Sequence, residues 1–551
     1  MRIALVQQNY HIGHFTYNAD KIIRAIEQAR SQEVDLVVFS ELCVCGYPPM
    51  DLLEFEDFIT QCEASLQRIC AHTEGIGVIV GTPTRNPSSR GKRLHNSAVL
   101  LYNQQIQAIV HKTLLPTYDV FDESRYFEPA SNWRVISFKG TCIALTICED
   151  IWNVEEPRLY RLSPLEQLMP QAPELIINIS ASPFDYDHEQ QRIEIIRQNV
   201  HQFHLPLIYC NAVGAQTELI FDGASLVFNA KGKLVKQLPS FCEAMEIIEL
   251  NQLDDLPALE AQAPASTQTL RPSFQIDRIH DALLLGIRDY FSKMQLDRCV
   301  IGSSGGIDSA VATALACEAL GPSRVLSVMM PSEFSSPASV EDAVELSKRL
   351  GNAYHILPIH EVFQAFTHTL SPIFQQLPFG LAEENVQARI RGTLLMAIAN
   401  KFGYILLNTS NKSELAVGYG TLYGDMAGGL SILGDLYKQQ IYAMAHYLNR
   451  HQEIIPRNIM QKPPSAELRP GQLDTDSLPP YEQLDPILYQ YIEQRKTIPE
   501  IVAMGFDEEL VKRIIPLVNR NEYKRHQFCP ILRVSSKAFG RGRRIPIVGK
   551  Y

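Results

Sequence analysis

The sequence predicts two α/β halves of different design: a four-layer α-β-β-α sandwich over residues 1–251 and a doubly wound parallel sheet over 274–551. Three observations carry this prediction. Strand-like runs in the first half are too numerous for one simple doubly wound sheet, so two sheets with outer helices fit better. In the second half strands and helices alternate strictly, which implies right-handed crossovers and parallel pairing. Between the halves, 252–273 (QLDDLPALEAQAPASTQTLRPS) is polar, Ala/Pro-rich and aperiodic, as a linker is.

The first half opens on an apolar run at 3–6, followed by a helix at 19–30 with Ile22, Ile23, Ile26 and Ala29 on one face. Residues 35–39 (DLVVF) and 77–81 (GVIVG) read as buried strands. Further β-rich runs lie at 97–102, 106–111, 134–138, 142–147 and 175–179, and a helix at 189–201 carries Ile193, Ile196 and Val200. In the second half the order is helix 276–294, strand 299–302, a Gly/Ser turn and helix 308–320. Strand 325–330, helix 337–351, strand 354–358, helix 384–402 and strand 404–407 follow.

Composition narrows the function. Of 551 residues 46% are apolar and 20% charged, an ordinary globular balance. Fifty Lys+Arg against 61 Asp+Glu give a net charge of −11, which argues against bulk binding of nucleic acid or an anionic membrane. The 11 scattered cysteines read as reduced thiols rather than a disulfide framework. The N-terminus lacks a signal-peptide apolar core, and no later run reaches about 18 apolar residues. A cytoplasmic enzyme acting on small molecules is expected, with no nucleic-acid and no membrane partner.

The most informative segment is Gly302-Ser303-Ser304-Gly305-Gly306-Ile307-Asp308-Ser309, placed where a buried strand ends and a helix begins. Free N–H groups and the positive helix end favour an anion there, and the two glycines let backbone approach it closely. The Gly-Lys-Ser/Thr ending of a Walker loop is absent. A second set follows strand 404–407: Asn408-Thr409-Ser410-Asn411-Lys412-Ser413-Glu414, then Gly424-Asp425 and Lys438. The C-terminal edge of such a sheet is where ligands bind. On helix 384–402, Val386, Ile390 and Leu394 form an apolar stripe, and Arg389 and Arg391 fall off it as a solvated face would.

In the first half, Cys148 ends an apolar strand in Thr146-Ile-Cys-Glu-Asp-Ile-Trp152. A cysteine nucleophile needs a proton acceptor and an oxyanion partner. Glu41, ending DLVVFSE, and Lys112, ending IQAIVHK, are the candidates. No Gly-x-Ser-x-Gly elbow points to a serine hydrolase, and Cys43-Val-Cys45 is too tightly spaced for a zinc site.

Ser-Gly-Gly-x-Asp-Ser resembles the loop of the ATP pyrophosphatases, whose fold is that of the adenine-nucleotide α-hydrolases. The loop alone leaves open the synthetases of GMP, asparagine, argininosuccinate and NAD and the tRNA-thiolating enzymes. Residues 408–438 look like NAD synthetase, and so do 464–481, Asn521–Arg525 and 536–546. This resemblance implies that Gly302–Ser309 and Thr409 bind ATP and that Asp308 and Glu414 hold Mg²⁺. It also implies that Asn385, Glu414, Asp425, Lys438 and Lys524 contact deamido-NAD (nicotinate adenine dinucleotide), with Asp425 and Lys438 on mobile loops closing over the nicotinate and phosphates. The basic tail (Lys537, Arg541, Arg543, Arg544, Lys550) is read as serving subunit packing or the phosphates.

FSELCVCGYPP, HKTLLPTYDVFDE and TICEDIW resemble the three signature stretches of the nitrilase (carbon–nitrogen hydrolase) superfamily, in family order. The resemblance implies Glu41 as general base and Cys148 as nucleophile on the carboxamide of glutamine. Lys112 would stabilise the oxyanion and favour the thiolate. Glu123 would be the second carboxylate orienting the set. Tyr118, Ser182 and His188 would hold glutamine, and Tyr47 would line the ammonia exit. His188 departs from the Lys or Arg of relatives.

Together the two resemblances imply glutamine-dependent synthesis of NAD with ATP as co-substrate, an internal ammonia channel and a homo-oligomer. The alternative is another glutamine-dependent ATP-pyrophosphatase ligase acting on a different carboxylate or nucleotide.

Overall fold

The computed structural model describes residues 1–154, 157–259, 275–375 and 377–549, and the chain divides into two compact units, one on either side of 260–274. The greater part of the predicted linker, 260–273, and Lys550 lie outside the described residues. Among the described residues no helix is long and apolar enough to cross a membrane.

The first unit has strands β1 (Arg2–Gln7), β2 (Leu36–Val38), β3 (Gly77–Arg85), β4 (Leu94–Tyr102), β5 (Gln105–His111), β6 (Ile136–Phe138) and β7 (Thr141–Ile147). They continue with β8 (Leu175–Ser180), β9 (Leu207–Asn211), β10 (Val213–Gln216), β11 (Leu219–Asp222), β12 (Leu226–Phe228), β13 (Leu234–Gln237) and β14 (Ala244–Glu249). Its helices are α1 (Phe15–Ser31), α2 (Glu56–Cys70), α3 (Pro164–Leu168) and α4 (His188–Phe203). Two six-stranded sheets form, β14-β1-β2-β3-β4-β5 and β13-β12-β9-β8-β7-β6, with β10-β11 as a separate ribbon.

Strand alternation assigns each face. Ile3, Leu5, Leu36, Val38 and Ile79 of one sheet meet Ile143, Leu145, Ile177 and Ile179 of the other in a shared core. Ala4, Val6, Val37 and Val78 face outward onto Ile22 and Ile26 of α1 and Ile69 of α2. Ala144, Ile176 and Phe228 pack outward onto Leu165 of α3 and Ile196 of α4. Four α-β-β-α layers result. Leu253 joins the inner core and Leu256 packs against it, so the start of the segment read as linker is part of this unit's packing.

The second unit begins α5 (Ile276–Lys293), β15 (Cys299–Gly302), α6 (Ile307–Leu320), β16 (Val325–Met329), α7 (Pro337–Leu350), β17 (Ala353–Ile356), α8 (His360–Phe374), α9 (Leu381–Phe402) and β18 (Ile405–Asn408). There follow α10 (Lys412–Val417), β19 (Leu430–Ser431), α11 (Lys438–Leu448), α12 (Arg457–Gln461), α13 (Tyr481–Ile492), α14 (Ile498–Ala503), α15 (Glu508–Arg520) and α16 (Glu522–Arg525). All four pairings in the order β17-β16-β15-β18-β19 are parallel, as a doubly wound sheet requires. The order reverses at β15, so the loops after β15 and β18 flank one switch-point crevice. Two features lie beyond the sequence pattern: α8, with Phe363 as its buried residue, and a helical cluster in which α10, α13 and α15 share one apolar core.

Candidate active sites

In the first unit the sandwich brings three distant residues together. Glu41 follows β2, Lys112 follows β5, and Cys148 opens the turn after β7; all three are buried. Lys112 Nζ donates to Glu41 Oε1 and Glu123 Oε1, each at 2.8 Å, and the Tyr47 hydroxyl donates to Glu123 Oε1 at 2.9 Å. Tyr47 is therefore a support of the second carboxylate. Glu41 Oε2 accepts from Ala181 N at 2.9 Å. Asp150 accepts from Thr113 N (3.0 Å), Leu114 N (2.8 Å) and Ile147 N (3.1 Å), which ties the segment after Lys112 to the cysteine turn. Cys148 itself sits at φ +45°, a conformation that costs a non-glycine residue energy and is held by its surroundings.

Charge explains the roles. Burial would depress Lys112, but Glu123 and Glu41 outweigh it and hold the ammonium well above its ordinary range. Burial pushes Glu123 up to about 7, against the pull of Lys112. Burial also pushes the Cys148 thiol well up; Glu41 adds to this and Lys112 opposes it. Lys112 is the group that pulls toward the thiolate, with its charge shared between two carboxylates.

The Tyr118 hydroxyl donates to both Glu149 oxygens at 3.0 Å, and the Tyr160 hydroxyl donates to Oε1 at 3.0 Å. Ser182 Oγ lies 2.9 Å from His188 Nε2, and the His188 ring stacks on Trp152 at 4.9 Å and 11°. The predicted glutamine-holding residues thus touch the cysteine turn through Glu149 and Trp152. Sequence reasoning missed Glu149, Tyr160 and Trp152 as site groups, although Glu149 and Trp152 stand within the cysteine signature. It also missed Asn96 on β4, whose Nδ2 donates to Glu41 Oε1 at 2.7 Å.

In the second unit a cavity of about 290 Å³ opens at the switch point. Gly302, Ser303, Ser304, Gly306, Ile307, Asp308, Ser309, Thr409, Glu414, Asp425 and Lys438 line it. Gly305 stands behind, at φ +76°, where a Cβ would lie 2.2 Å from Ser339 O; only glycine fits. Gly306 N donates to Ser304 Oγ at 3.2 Å, and the buried Ser303 hydroxyl, on the cavity wall, has no partner among the described residues, which leaves it for a ligand.

Lys438 begins α11, is buried, and donates to Asp308 Oδ2 at 2.5 Å, with Glu414 Oε1 at 3.6 Å. It is a fixed strut, which corrects its assignment to a mobile loop. Burial opposes its charge, but Asp308 and Glu414 outweigh that and raise it. Asn411 Nδ2 donates to Asp308 Oδ1 at 2.9 Å. Burial, then Asp308, pushes Glu414 up to about 8. This excess of hard carboxylate oxygen over positive charge fits a small divalent cation. Among the described residues no group of three or more His, Cys, Asp or Glu side chains could hold a metal, so Asp308 and Glu414 are a two-carboxylate set.

Two predicted dinucleotide contacts do not line the cavity. Asn385 Oδ1 accepts from Thr421 Oγ1 at 2.7 Å, and Lys524 Nζ donates to Gly418 O (2.8 Å) and Gly420 O (2.7 Å). Both brace the 418–425 turn, whose Asp425 accepts from Thr421 N at 2.6 Å. Arg391 is the converse: read as a solvated face, it lines the cavity, donates to Met330 O at 2.9 Å, and is lowered to about 10 by burial. Arg389 is exposed. In the tail, Arg543 is buried against Glu522 and the Phe539 ring and so serves packing within its own unit.

The family model of the carbon–nitrogen hydrolases matches residues 2–254, and that of NAD synthase matches 279–528. A glutamine-dependent NAD(+) synthetase of Synechocystis sp. is 46% identical over 99% of this chain and 98% of its own. One from Thermotoga maritima is 38% identical over 100% and 99%. The solved structure of glutamine-dependent NAD+ synthetase from Acinetobacter baumannii in complex with ADP is 37% identical, covers 99% of this chain and 98% of its own, and has a TM-score of 0.76. The family shown by the two sites, the two family models and these full-length relatives is one and the same: this chain belongs to the glutamine-dependent NAD(+) synthetases.

Proposed function

We propose that this chain makes NAD from deamido-NAD, ATP and glutamine, releasing AMP, pyrophosphate and glutamate. The observation that carries the reading is the presence, in one chain, of a buried Glu41–Lys112–Cys148 centre and a cavity of about 290 Å³ between the loops after β15 and β18.

In the amidase half Glu41 takes the thiol proton as Cys148 Sγ attacks the carboxamide carbon of glutamine. The Lys112 ammonium faces the oxyanion as charge develops. The leaving ammonia takes the proton back from Glu41. Water then gives a proton to Glu41 and attacks the thioester carbon; the C–S bond breaks, glutamate leaves, and Glu41 returns the proton to Cys148 Sγ. Tyr118, Ser182 and His188 hold the substrate.

In the synthetase half the N–H groups of Gly302–Ser309 and the start of α6 hold the triphosphate. The nicotinate carboxylate attacks the α-phosphorus and expels pyrophosphate; ammonia then displaces AMP. Asp308 and Glu414 would hold Mg²⁺, which supplies neutralisation of phosphate charge when bound. Lys438 keeps these carboxylates in place and offers its own charge to the leaving pyrophosphate, and Asp425 lies at the wall for the dinucleotide.

Free thiols at all 11 cysteines suit action in the reducing cytoplasm. Self-association is supported by α8, where Val362, Phe366 and Ile373 form an exposed apolar stripe at helical spacing. The test of the reaction is product analysis with purified protein: NAD, AMP and pyrophosphate are expected, and formation of ADP, or no turnover of deamido-NAD, overturns the reading.

A further inference from the structure

Asn96 is 1% exposed on β4, deep in the amidase centre. Its Nδ2 donates to Glu41 Oε1 at 2.7 Å and lies 3.4 Å from Glu123 Oε2, while its backbone carbonyl accepts from Lys112 N at 2.8 Å. The amide has one possible orientation, because an oxygen in place of Nδ2 would face two carboxylates. The other end, Oδ1, is therefore turned away, and it is buried with no hydrogen-bond partner among the described residues. A buried unpaired carbonyl lowers stability. An asparagine held here for folding alone would be expected to satisfy both ends, so the donor end is what the site keeps it for.

That donor decides how Glu41 can act. A carboxylate oxygen offers two lone-pair sites. Lys112 Nζ and Asn96 Nδ2 fill both on Oε1, while among the described residues Oε2 accepts from Ala181 N. One site on Oε2 stays open. We propose that Asn96 is a positioning residue for glutamine hydrolysis: it saturates Glu41 Oε1, fixes the carboxylate plane, and confines the proton taken from Cys148 to Oε2. The transfer balances simply: the S–H bond breaks, an Oε2–H bond forms, and the sulfur keeps the electron pair that attacks the substrate carbon. Among the described residues the Asn96 side chain bonds the carboxylates and not the Cys148 sulfur.

This inference rests on the amidase reading, which is tested separately by loss of glutamine hydrolysis in Cys148→Ala. With wild-type hydrolysis established, Asn96→Ala and the isosteric Asn96→Asp are compared over a pH series. The titratable groups around Asn96 are Glu41, Glu123, Lys112, Tyr47 and Cys148. Removing a donor from the ionised form of a base moves its titration upward. For Asn96→Ala, kcat is expected to fall roughly 10- to 100-fold, with glutamine KM within about twofold and the acid limb moved up by about one unit. Asn96→Asp adds a negative neighbour and is expected to move the limb further. A lowered kcat with the wild-type pH profile in both variants would reduce Asn96 to a structural role and overturn the proposal. A raised KM with kcat intact would make it a substrate contact and overturn it equally. If Asn96→Ala does not fold, Asn96→Ser, which keeps a shorter donor, is read by the same two criteria with a smaller limb shift expected.

Discussion

Two buried carboxylates share one ammonium in the amidase centre, and this sets what each group can do. Lys112 compensates Glu41 and Glu123, and in the proposed reaction the same charge meets the oxyanion. Lys112→Met keeps the volume and removes the charge. Glutamine hydrolysis should then fall at least about 10²-fold, and thermal unfolding should show a loss of about 3–5 kcal/mol from the unpaired buried carboxylates. Unchanged stability would mean that the pair is not buried as described. Cys148, Glu41 and Lys112 were legible in the sequence because each stands just past a strand-like run inside a signature stretch. Asn96 and Arg391 were not. Asn96 meets Glu41 across 55 positions, and Arg391 meets Met330 across 61. Their burial arises only when strands and helices assemble; on the helix pattern Arg391 looks solvated. The same holds for Lys438, whose fixed place comes from carboxylates on α6 and α10.

At the scale of elements, the start of α11 is capped by side chains from two other helices. Ser413 Oγ accepts from Lys438 N at 3.0 Å and donates to Asp485 Oδ1 at 2.6 Å, while Asp485 Oδ2 accepts from Gln439 N at 2.9 Å. Burial pushes Asp485 up from 3.8 to about 7. Between those values the folded chain keeps a proton that the unfolded chain has lost. The contribution of Asp485 is therefore full below about pH 4 and is lost as pH rises to about 7. Asp485→Asn should make the melting temperature less sensitive to pH between 5 and 8; an equal slope would remove Asp485 from the account. Gly305→Ala places a Cβ against Ser339 O in a left-handed backbone. It should abolish NAD synthesis with either nitrogen source while glutamine hydrolysis persists. The strand–loop–helix around Gly305 was readable because β15 and α6 are local patterns. α8 was not, since its apolar residues Phe366 and Ile373 lie on the surface instead of in a core.

For the whole molecule, that surface bears on assembly. Ile373 is 74% exposed and Phe366 49%. Replacing both with Glu should lower the mass found by sedimentation if self-association uses α8; an unchanged mass would place the interface elsewhere. The division into two catalytic units was legible from the change in strand–helix rhythm and from the two signature sets, since both are local in the chain. The central claim is that one unit makes ammonia and the other uses it. The most direct measurement is NAD formation by Cys148→Ala with glutamine and, separately, with ammonium. The glutamine-dependent rate should disappear and the ammonium-dependent rate should stay within about twofold of wild type, because Cys148 sits in the amidase centre. Loss of both rates, or survival of the glutamine-dependent one, would contradict it.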